Sequence, residues 1–220
     1  MTGFFKPMIT AWSYSRLSTW ETCPAKAKYK FLDKLPEPDS PAAGRGKALH
    51  TMAEEYITGK VTELPHELAE VAEYIEELKG GAAELQLAFT KEWVPCSWFG
   101  PQVYCRVIFD AVKLAGPKGT VADHKSGKIK QEEHTDQLRL YALTSFIQYP
   151  ELEEVEAQIL YIDHGERLRM TFHRKDLQEL KDYWDNRAGK MMADDVFSPK
   201  PNSTCRYCAY SKSKGGPCIF

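Results

Sequence analysis

The spacing of hydrophobic and polar residues predicts two kinds of element along this chain. Apolar residues at helical spacing predict helices at residues 25–32, 47–57, 66–79, 132–149 and 175–192. Runs rich in β-branched and aromatic residues predict strands at residues 84–94, 103–113, 120–124, 155–163 and 167–172. The order is helices, three strands, a helix, two strands and a helix. It predicts a mixed sheet flanked by helices, in a single α/β domain over residues 1–220.

Composition narrows the class of protein. The 220 residues are 43% hydrophobic and 27% charged, which is typical of a soluble globular domain. The net charge of −2 gives no overall attraction to nucleic acid, so DNA binding would require local basic patches. No apolar run is long enough to span a bilayer, and the N-terminus lacks the features of a signal peptide. We therefore expect a reducing, cytoplasmic setting and no membrane partner.

Candidate chemistry lies on the second and third predicted strands. Val107–Asp110 and Thr120–Asp123 are apolar runs that each end on an aspartate, and Lys125 follows two residues later. Alternate residues of a strand share one face, so Asp123 and Lys125 should project together. Two carboxylates and an ammonium suit metal-dependent hydrolysis of a phosphodiester. By itself, however, an Asp-x-Lys pattern is more often a pair of solvated residues at a strand end.

The neighbouring motifs change this assessment. Four motifs follow one another along the chain: Gly44-x5-His50, Asp110 in Ile108–Val112, Asp123-His124-Lys125-Ser126-Gly127, and Gln137-x3-Tyr141. This succession resembles the RecB-like branch of the PD-(D/E)XK nuclease superfamily. The resemblance implies a restriction-endonuclease-like fold, in which helices flank a mixed central sheet.

The resemblance also implies roles for these residues. His50, Asp110, Asp123 and the backbone carbonyl of His124 would bind Mg²⁺ or Mn²⁺, and Lys125 would be the catalytic lysine. Gln137 and Tyr141 would face the active site and contact the DNA or the motif loop. The imidazole of His124 should point to the opposite face from Asp123 and take no part in catalysis. The alternatives are a core-edge His50 bonded to Glu54, and ordinary helix packing for Tyr141.

The cysteines form a second candidate site. Cys205-x-x-Cys208 places two thiolates within chelating distance, and Cys218 and Cys23 complete a set of four. Four thiolates suit a structural Zn²⁺ or an iron–sulfur cluster, and the residues alone do not choose between them. The remaining alternative is a set of free thiols in a disordered tail.

The placement of one cysteine before the core and three after it resembles the iron–sulfur nucleases. These include the CRISPR-associated RecB-like exonucleases and the AddB-type recombination nucleases. The resemblance implies a 4Fe-4S cluster that joins an N-terminal helical segment (residues 13–32) to the C-terminal tail (residues 199–220). The gap from Cys208 to Cys218 is longer than in those families, which makes Cys218 the least typical ligand.

Together these features predict a Mg²⁺- or Mn²⁺-dependent deoxyribonuclease, most simply an exonuclease acting on single-stranded DNA or on DNA with free ends. The resemblance places such an enzyme in recombination, repair, phage DNA processing or CRISPR adaptation. Helicase, recombination or CRISPR-adaptation proteins would be its partners, and the host cytoplasm its location if phage-encoded. The alternatives are a structure-specific endonuclease and a non-catalytic nucleic-acid-binding scaffold that retains the fold.

Overall fold

The computed structural model describes residues 8–38 and 41–220, which form two compact units. One unit comprises residues 40–182, and the other comprises residues 1–39 and 183–220. The α-helices are α1 (Tyr14–Thr22), α2 (Pro24–Ala27), α3 (Pro41–Ile57), α4 (Ala72–Leu78), α5 (Gln131–Gln148) and α6 (Leu177–Ala193). The strands are β1 (Ala82–Phe89), β2 (Pro95–Cys96), β3 (Cys105–Ala115), β4 (Lys118–Lys125), β5 (Glu154–Tyr161) and β6 (Glu166–His173). In the described residues, no helix is long and apolar enough to cross a membrane.

A mixed six-stranded sheet forms the centre of the unit at residues 40–182. Its strand order is β2-β1-β3-β4-β5-β6, and every neighbouring pair is antiparallel except β4 and β5. Two parallel neighbours need a crossover connection, and α5 supplies it. The predicted fold class, a restriction-endonuclease-like mixed sheet flanked by helices, is confirmed.

Helix α3 packs on the sheet through the apolar face that its sequence predicts. Leu49, Ala53 and Tyr56 are buried along it at helical spacing, against Ala111 and Ala122 of the sheet. The two alanines have small side chains, so α3 can approach the strands closely. Helix α5 differs, because almost every residue from Gln137 to Phe146 is buried. This burial encloses the polar side chains of α5 that face the strands.

Two predicted elements have different limits. The strand predicted at residues 84–94 ends at Phe89, because Thr90–Val94 form a turn in which the amide of Trp93 donates to the carbonyl of Thr90 at 2.9 Å. Trp93 has a φ of 59°, which a continuous strand does not allow. The helix predicted at residues 66–79 begins as a 3₁₀-helix over His66–Val71 and becomes α-helical as α4.

The second unit contains both ends of the chain. Ser13 caps α1, and the buried Trp12 stacks on Trp184 of α6 with ring centroids 5.6 Å apart. The guanidinium of Arg187 donates to both carboxylate oxygens of Glu21, at 2.8 and 2.7 Å. These contacts pack the N-terminal helices against α6 within one small core.

Candidate active site

Three carboxylates lie in a row across neighbouring strands. The β1–β3 register places Glu84 opposite Asp110, and the β3–β4 register places Asp110 opposite Asp123. Among the described residues, β3–β4 pairing ends at Ala111 and Ala122, and β1–β3 pairing omits Glu84 and Asp110. The sheet is therefore open between β3 and β4 at Asp110, whereas β1 and β3 pair again at Leu85 and Phe109.

His50, Glu84 and Asp110 form the first cluster of the site. One ligand atom from each lies within 4.8 Å of the others. The Nδ1 atom of His50 is 3.2 Å from Oδ2 of Asp110, and the same oxygen accepts the amide of His124 at 2.7 Å. Burial opposes ionisation of Asp110, but the hydrogen bond from His50 and the charges and amide around it lower the pKa of this carboxyl. The hydrogen bond to Asp110 in turn raises the pKa of His50. Glu54, the alternative partner of His50, pairs with Lys60 at 2.6 Å.

Glu84 is the site residue that the sequence did not reveal. It has a φ of 50° within β1, in the left-handed region that a non-glycine residue adopts only under constraint. Burial and the charge of Asp110 raise the pKa of Glu84. No local motif marks this residue, and only the strand register brings it opposite Asp110. Strained backbone of this kind is found most often at functional sites.

Asp123 belongs to a second cluster with α5 and Lys125. Its Oδ1 atom accepts the hydroxyl of Tyr141 at 2.6 Å and the amide of Gln137 at 2.7 Å. The ammonium of Lys125 lies 2.6 Å from Oδ2 of Asp123. Gln137 and Tyr141 are thus directed at the carboxylate itself. Tyr141 also packs on Phe109 with ring centroids 5.1 Å apart, so it serves both the site and the core.

The electrostatics of this cluster fix its protonation states. Burial disfavours the charge on Lys125, but the neighbouring Asp123 carboxylate outweighs this and raises the pKa of the ammonium. Burial and the charge of Asp123 raise the pKa of Tyr141 well above its usual range. The tyrosine therefore keeps its proton and donates a hydrogen bond to Asp123, and the lysine is a cation near neutral pH.

The imidazole of His124 lies on the α3 side of the sheet, whereas Asp123 contacts α5. It is buried without a hydrogen bond to either ring nitrogen, and its ring packs edge-on against His50 with centroids 5.8 Å apart. Its Nδ1 atom is 3.8 Å from Oδ2 of Asp110. Burial lowers the pKa of His124, which keeps the ring neutral. The backbone amide of His124 is the group that contacts Asp110.

An ion pair and a backbone hydrogen bond hold the loop after β4 in place. Arg45 binds both oxygens of Asp163, at 2.6 and 2.9 Å, and Asp163 also accepts the amide of Gly127 at 2.8 Å. Gly127 has a φ of 101°, which requires glycine. A Cβ atom on Gly46 would lie 3.1 Å from Oγ of Ser126. These contacts give Arg45, Gly46, Ser126 and Gly127 a structural reason, whereas a Cβ atom on Gly44 would meet nothing within 4 Å.

Solvent reaches the first cluster through an open cleft. The cleft encloses about 690 Å³, including space open to solvent, and is lined by Lys47, His50, Thr51, Glu54 and Glu84. The imidazole and the Glu84 carboxylate are therefore accessible to an ion or a substrate from outside.

The four cysteines share one cavity in the second unit. Cys23, Cys205, Cys208 and Cys218 all line it, and all are free thiols. The amide of Lys200 donates to Sγ of Cys23 at 3.4 Å, and the amide of Asn202 donates to Sγ of Cys205 at 3.3 Å. Of these four described residues, no three have sulfur atoms within 4.8 Å of one another. Among these four described cysteines, no three thus lie close enough together to share a single small ion.

Comparisons with known proteins agree with this geometry. The chain matches the family model of the PD-(D/E)XK nuclease superfamily over residues 11–99 and 81–213. It is similar to the crystal structure of SSO0001, with 17% sequence identity, coverage of 96% of this chain and 87% of that one, and a TM-score of 0.51. It is also similar to the structure of a candidate exonuclease from Eubacterium rectale, with 14% identity, coverage of 96% and 89%, and a TM-score of 0.56. At these identities the two structures show a shared fold alone. No curated protein sequence matches the chain.

Proposed function

The chain belongs to the PD-(D/E)XK nuclease superfamily, and from that membership we propose that it is a divalent-metal-dependent DNA exonuclease of the RecB-like branch. The observation that carries the proposal is the row of Glu84, Asp110 and Asp123 with His50 and Lys125 on either side. The fold shared with a candidate exonuclease from Eubacterium rectale supports the choice of an exonuclease.

The donor atoms of the first cluster fit Mg²⁺ or Mn²⁺. Carboxylate oxygens are the preferred ligands of both ions, and an imidazole nitrogen suits Mn²⁺. We propose that His50, Glu84 and Asp110 would hold the ion, together with Asp123 and the backbone carbonyl of His124, as the resemblance implies. When bound, such an ion supplies Lewis acidity to a water molecule and to the scissile phosphate.

Lys125 has the charge and position to stabilise the transition state. Because the Asp123 carboxylate keeps its pKa raised, the side chain is an ammonium and acts as a hydrogen-bond donor to the phosphate, where negative charge develops. Gln137 and Tyr141 are positioning residues. They bind Oδ1 of Asp123, which leaves Oδ2 facing Lys125.

Digestion of labelled DNA in Mg²⁺ or Mn²⁺ tests this function. Asp123→Ala should reduce the rate by about a hundredfold or more, since it removes the group that both holds Lys125 and faces the metal site. Asp182→Ala, which removes an exposed carboxylate on α6, is the matched control and should keep full activity. Equal activity of the two variants, or none in the wild-type protein, would rule out the proposal.

A circular substrate distinguishes the two classes of nuclease. An exonuclease needs a free end, so circular single-stranded DNA should survive while the linear form is degraded. Cleavage of both forms at similar rates would favour the structure-specific endonuclease instead. Labels placed at one end at a time then report the direction of digestion.

For the second unit, we propose a 4Fe-4S cluster held by Cys23, Cys205, Cys208 and Cys218. Tetrahedral Zn²⁺ with Zn–S bonds of about 2.3 Å requires four sulfur atoms roughly 3.8 Å apart, whereas no three of these thiols lie within 4.8 Å of one another. A larger group suits this wider spacing, and backbone amides donate to the sulfur atoms of Cys23 and Cys205. The cluster would have a structural role, joining residues 13–32 to the tail at 199–220.

Anaerobic purification followed by metal analysis tests this cluster. The protein should be brown and contain about four iron atoms per chain. Cys23→Ser should lose iron and melt at a lower temperature, whereas Cys96→Ser, which alters a cysteine outside the cavity, should retain both. A colourless protein with one zinc per chain would show that the site is a zinc site.

A further inference from the structure

The net charge of the whole chain conceals an uneven distribution. Residues 8–38 and 183–220 contain 11 lysines and arginines and 6 aspartates and glutamates, whereas residues 41–182 contain 17 and 24. One unit is therefore basic and the other acidic. Most of the excess positive charge of the basic unit comes from the tail. Residues 196–220 contain no acidic residue and four basic ones, Lys200, Arg206, Lys212 and Lys214. A polyanion would be attracted to this unit by charge alone.

An exposed tyrosine lies between two of these cations. The side chain of Tyr207 is 70% exposed, the guanidinium of Arg206 lies 4.7 Å from its ring centroid, and the ammonium of Lys214 donates to its carbonyl at 3.0 Å. We call Arg206, Tyr207 and Lys214 the tail patch. Within the described residues, no ion pair involves Arg206 or Lys214. Their charges are thus available to a ligand.

Unlike the cations of the tail patch, the lysines of the N-terminal helices form ion pairs with carboxylates. Lys28 pairs with Asp33 at 2.6 Å, and Lys26 and Lys30 both pair with Glu37. Their charges are already compensated, so they contribute less to the binding of an anion. The tail patch, in contrast, has two cations that no described carboxylate compensates.

The backbone holds the tail patch in one place. Arg206 and Tyr207 are the two residues between Cys205 and Cys208, on a 3₁₀ turn closed by the amide of Cys208 and the carbonyl of Cys205 at 3.0 Å. Both cysteines line the four-thiol cavity, so whatever binds there also fixes this turn. The hydrogen-bonded turn therefore keeps the side chain of Tyr207 exposed to solvent.

We propose that the tail patch binds single-stranded DNA, with a base stacked on Tyr207 and neighbouring phosphates on Arg206 and Lys214. This inference rests on the proposed nuclease function and specifies its substrate. Stacking on an aromatic ring combined with cationic contacts to the backbone is the usual chemistry of sequence-tolerant single-strand binding. Bases in a duplex are stacked on one another, so a duplex offers only its phosphates to the patch.

Fluorescence anisotropy with labelled oligo(dT) and no added divalent metal tests the stacking contact. Tyr207→Leu should weaken binding at least about fivefold, the loss expected for one base–aromatic stack. The matched control is Phe99→Leu, which removes an 87% exposed aromatic from the acidic unit and should change affinity less than about twofold. If both variants bind as the wild-type protein does, or if Phe99→Leu has the larger effect, the proposal is wrong.

The salt dependence of affinity tests the phosphate contacts. On single strands each phosphate contact contributes about 0.7 to the slope of log K against log salt, so Arg206→Gln/Lys214→Gln should make the slope shallower by about 1.4. Lys60→Gln/Lys118→Gln removes the same charge from residues paired with Glu54 and Glu154, and should leave the slope unchanged. Equal slopes for the two double variants would overturn the assignment.

Two further measurements separate this inference from the nuclease function. Tyr207→Leu should weaken binding of duplex DNA much less than binding of single strands, and equal losses would refute the single-strand assignment. Binding of oligo(dT) is measured without divalent metal, so it reports on the tail patch whether or not the protein cleaves DNA. If the wild-type protein binds through Tyr207 but cleaves no DNA, the nuclease proposal fails and the binding site remains.

Discussion

A single oxygen of Asp123 receives both of the hydrogen bonds that α5 contributes to the site. Tyr141 and Gln137 donate to Oδ1 from one helical turn apart, while Lys125 lies against Oδ2. The two oxygens therefore have different partners, and the carboxylate cannot rotate without losing them. The structure thus gives Gln137 and Tyr141 an orienting role that their spacing alone does not specify.

At this scale we predict the effect of Tyr141→Phe. The variant loses one of the two hydrogen bonds that hold Oδ1 of Asp123, so the carboxylate is oriented less well. The rate of DNA cleavage at neutral pH, measured with labelled DNA, should fall roughly tenfold. Tyr149→Phe, at the end of the same helix, is the control. A cleavage rate equal to that of the wild-type protein would contradict the orienting role.

At the scale of elements, the order of helices and strands was predictable and the alignment of the strands was not. Periodicity indicated α3, β3, β4, α5 and the β5–β6 hairpin, since each has a clear apolar pattern. The register that brings Glu84 opposite Asp110 depends on pairing between strands, which no local pattern records. Local motifs therefore yielded six site side chains, His50, Asp110, Asp123, Lys125, Gln137 and Tyr141, but not Glu84.

The backbone of β1 at Glu84 allows a test that separates strain from metal binding. Glu84→Gly and Glu84→Ala both remove the carboxylate, so both should weaken Mn²⁺ binding at least about tenfold, measured by calorimetry. Only glycine relieves the positive φ, so Glu84→Gly should be more stable than Glu84→Ala by about 1 kcal/mol in urea unfolding. Gln86→Ala, two residues along the strand, should retain Mn²⁺ affinity. Equal stability of the glycine and alanine variants would contradict the strained conformation.

At the scale of the whole molecule, the chain divides into two compact units. The sequence predicts one nuclease domain over residues 1–220, with an N-terminal helical segment joined to the C-terminal tail. The cysteines were the best indication that residues near the two ends of the chain meet. The proposed four-cysteine set combines Cys23 with three cysteines of the C-terminal tail. Neither the total charge nor the hydrophobic fraction indicated a basic and an acidic unit, because averages over the chain cancel. Composition therefore predicted the class of protein but not its division.

The gap between β3 and β4 has a mechanical consequence. Beyond Ala111 and Ala122 no ladder joins these strands in the described structure, and a single hydrogen bond from the amide of His124 to Asp110, 2.7 Å long, crosses the gap. β4 remains paired with β5 as far as Lys125, and β3 with β1. The carboxylate of Asp110 and the ammonium of Lys125 thus lie on two strands that separate beyond their last pair. We expect the distance between these strand ends to adjust to the width of a bound phosphate without loss of pairing on either side.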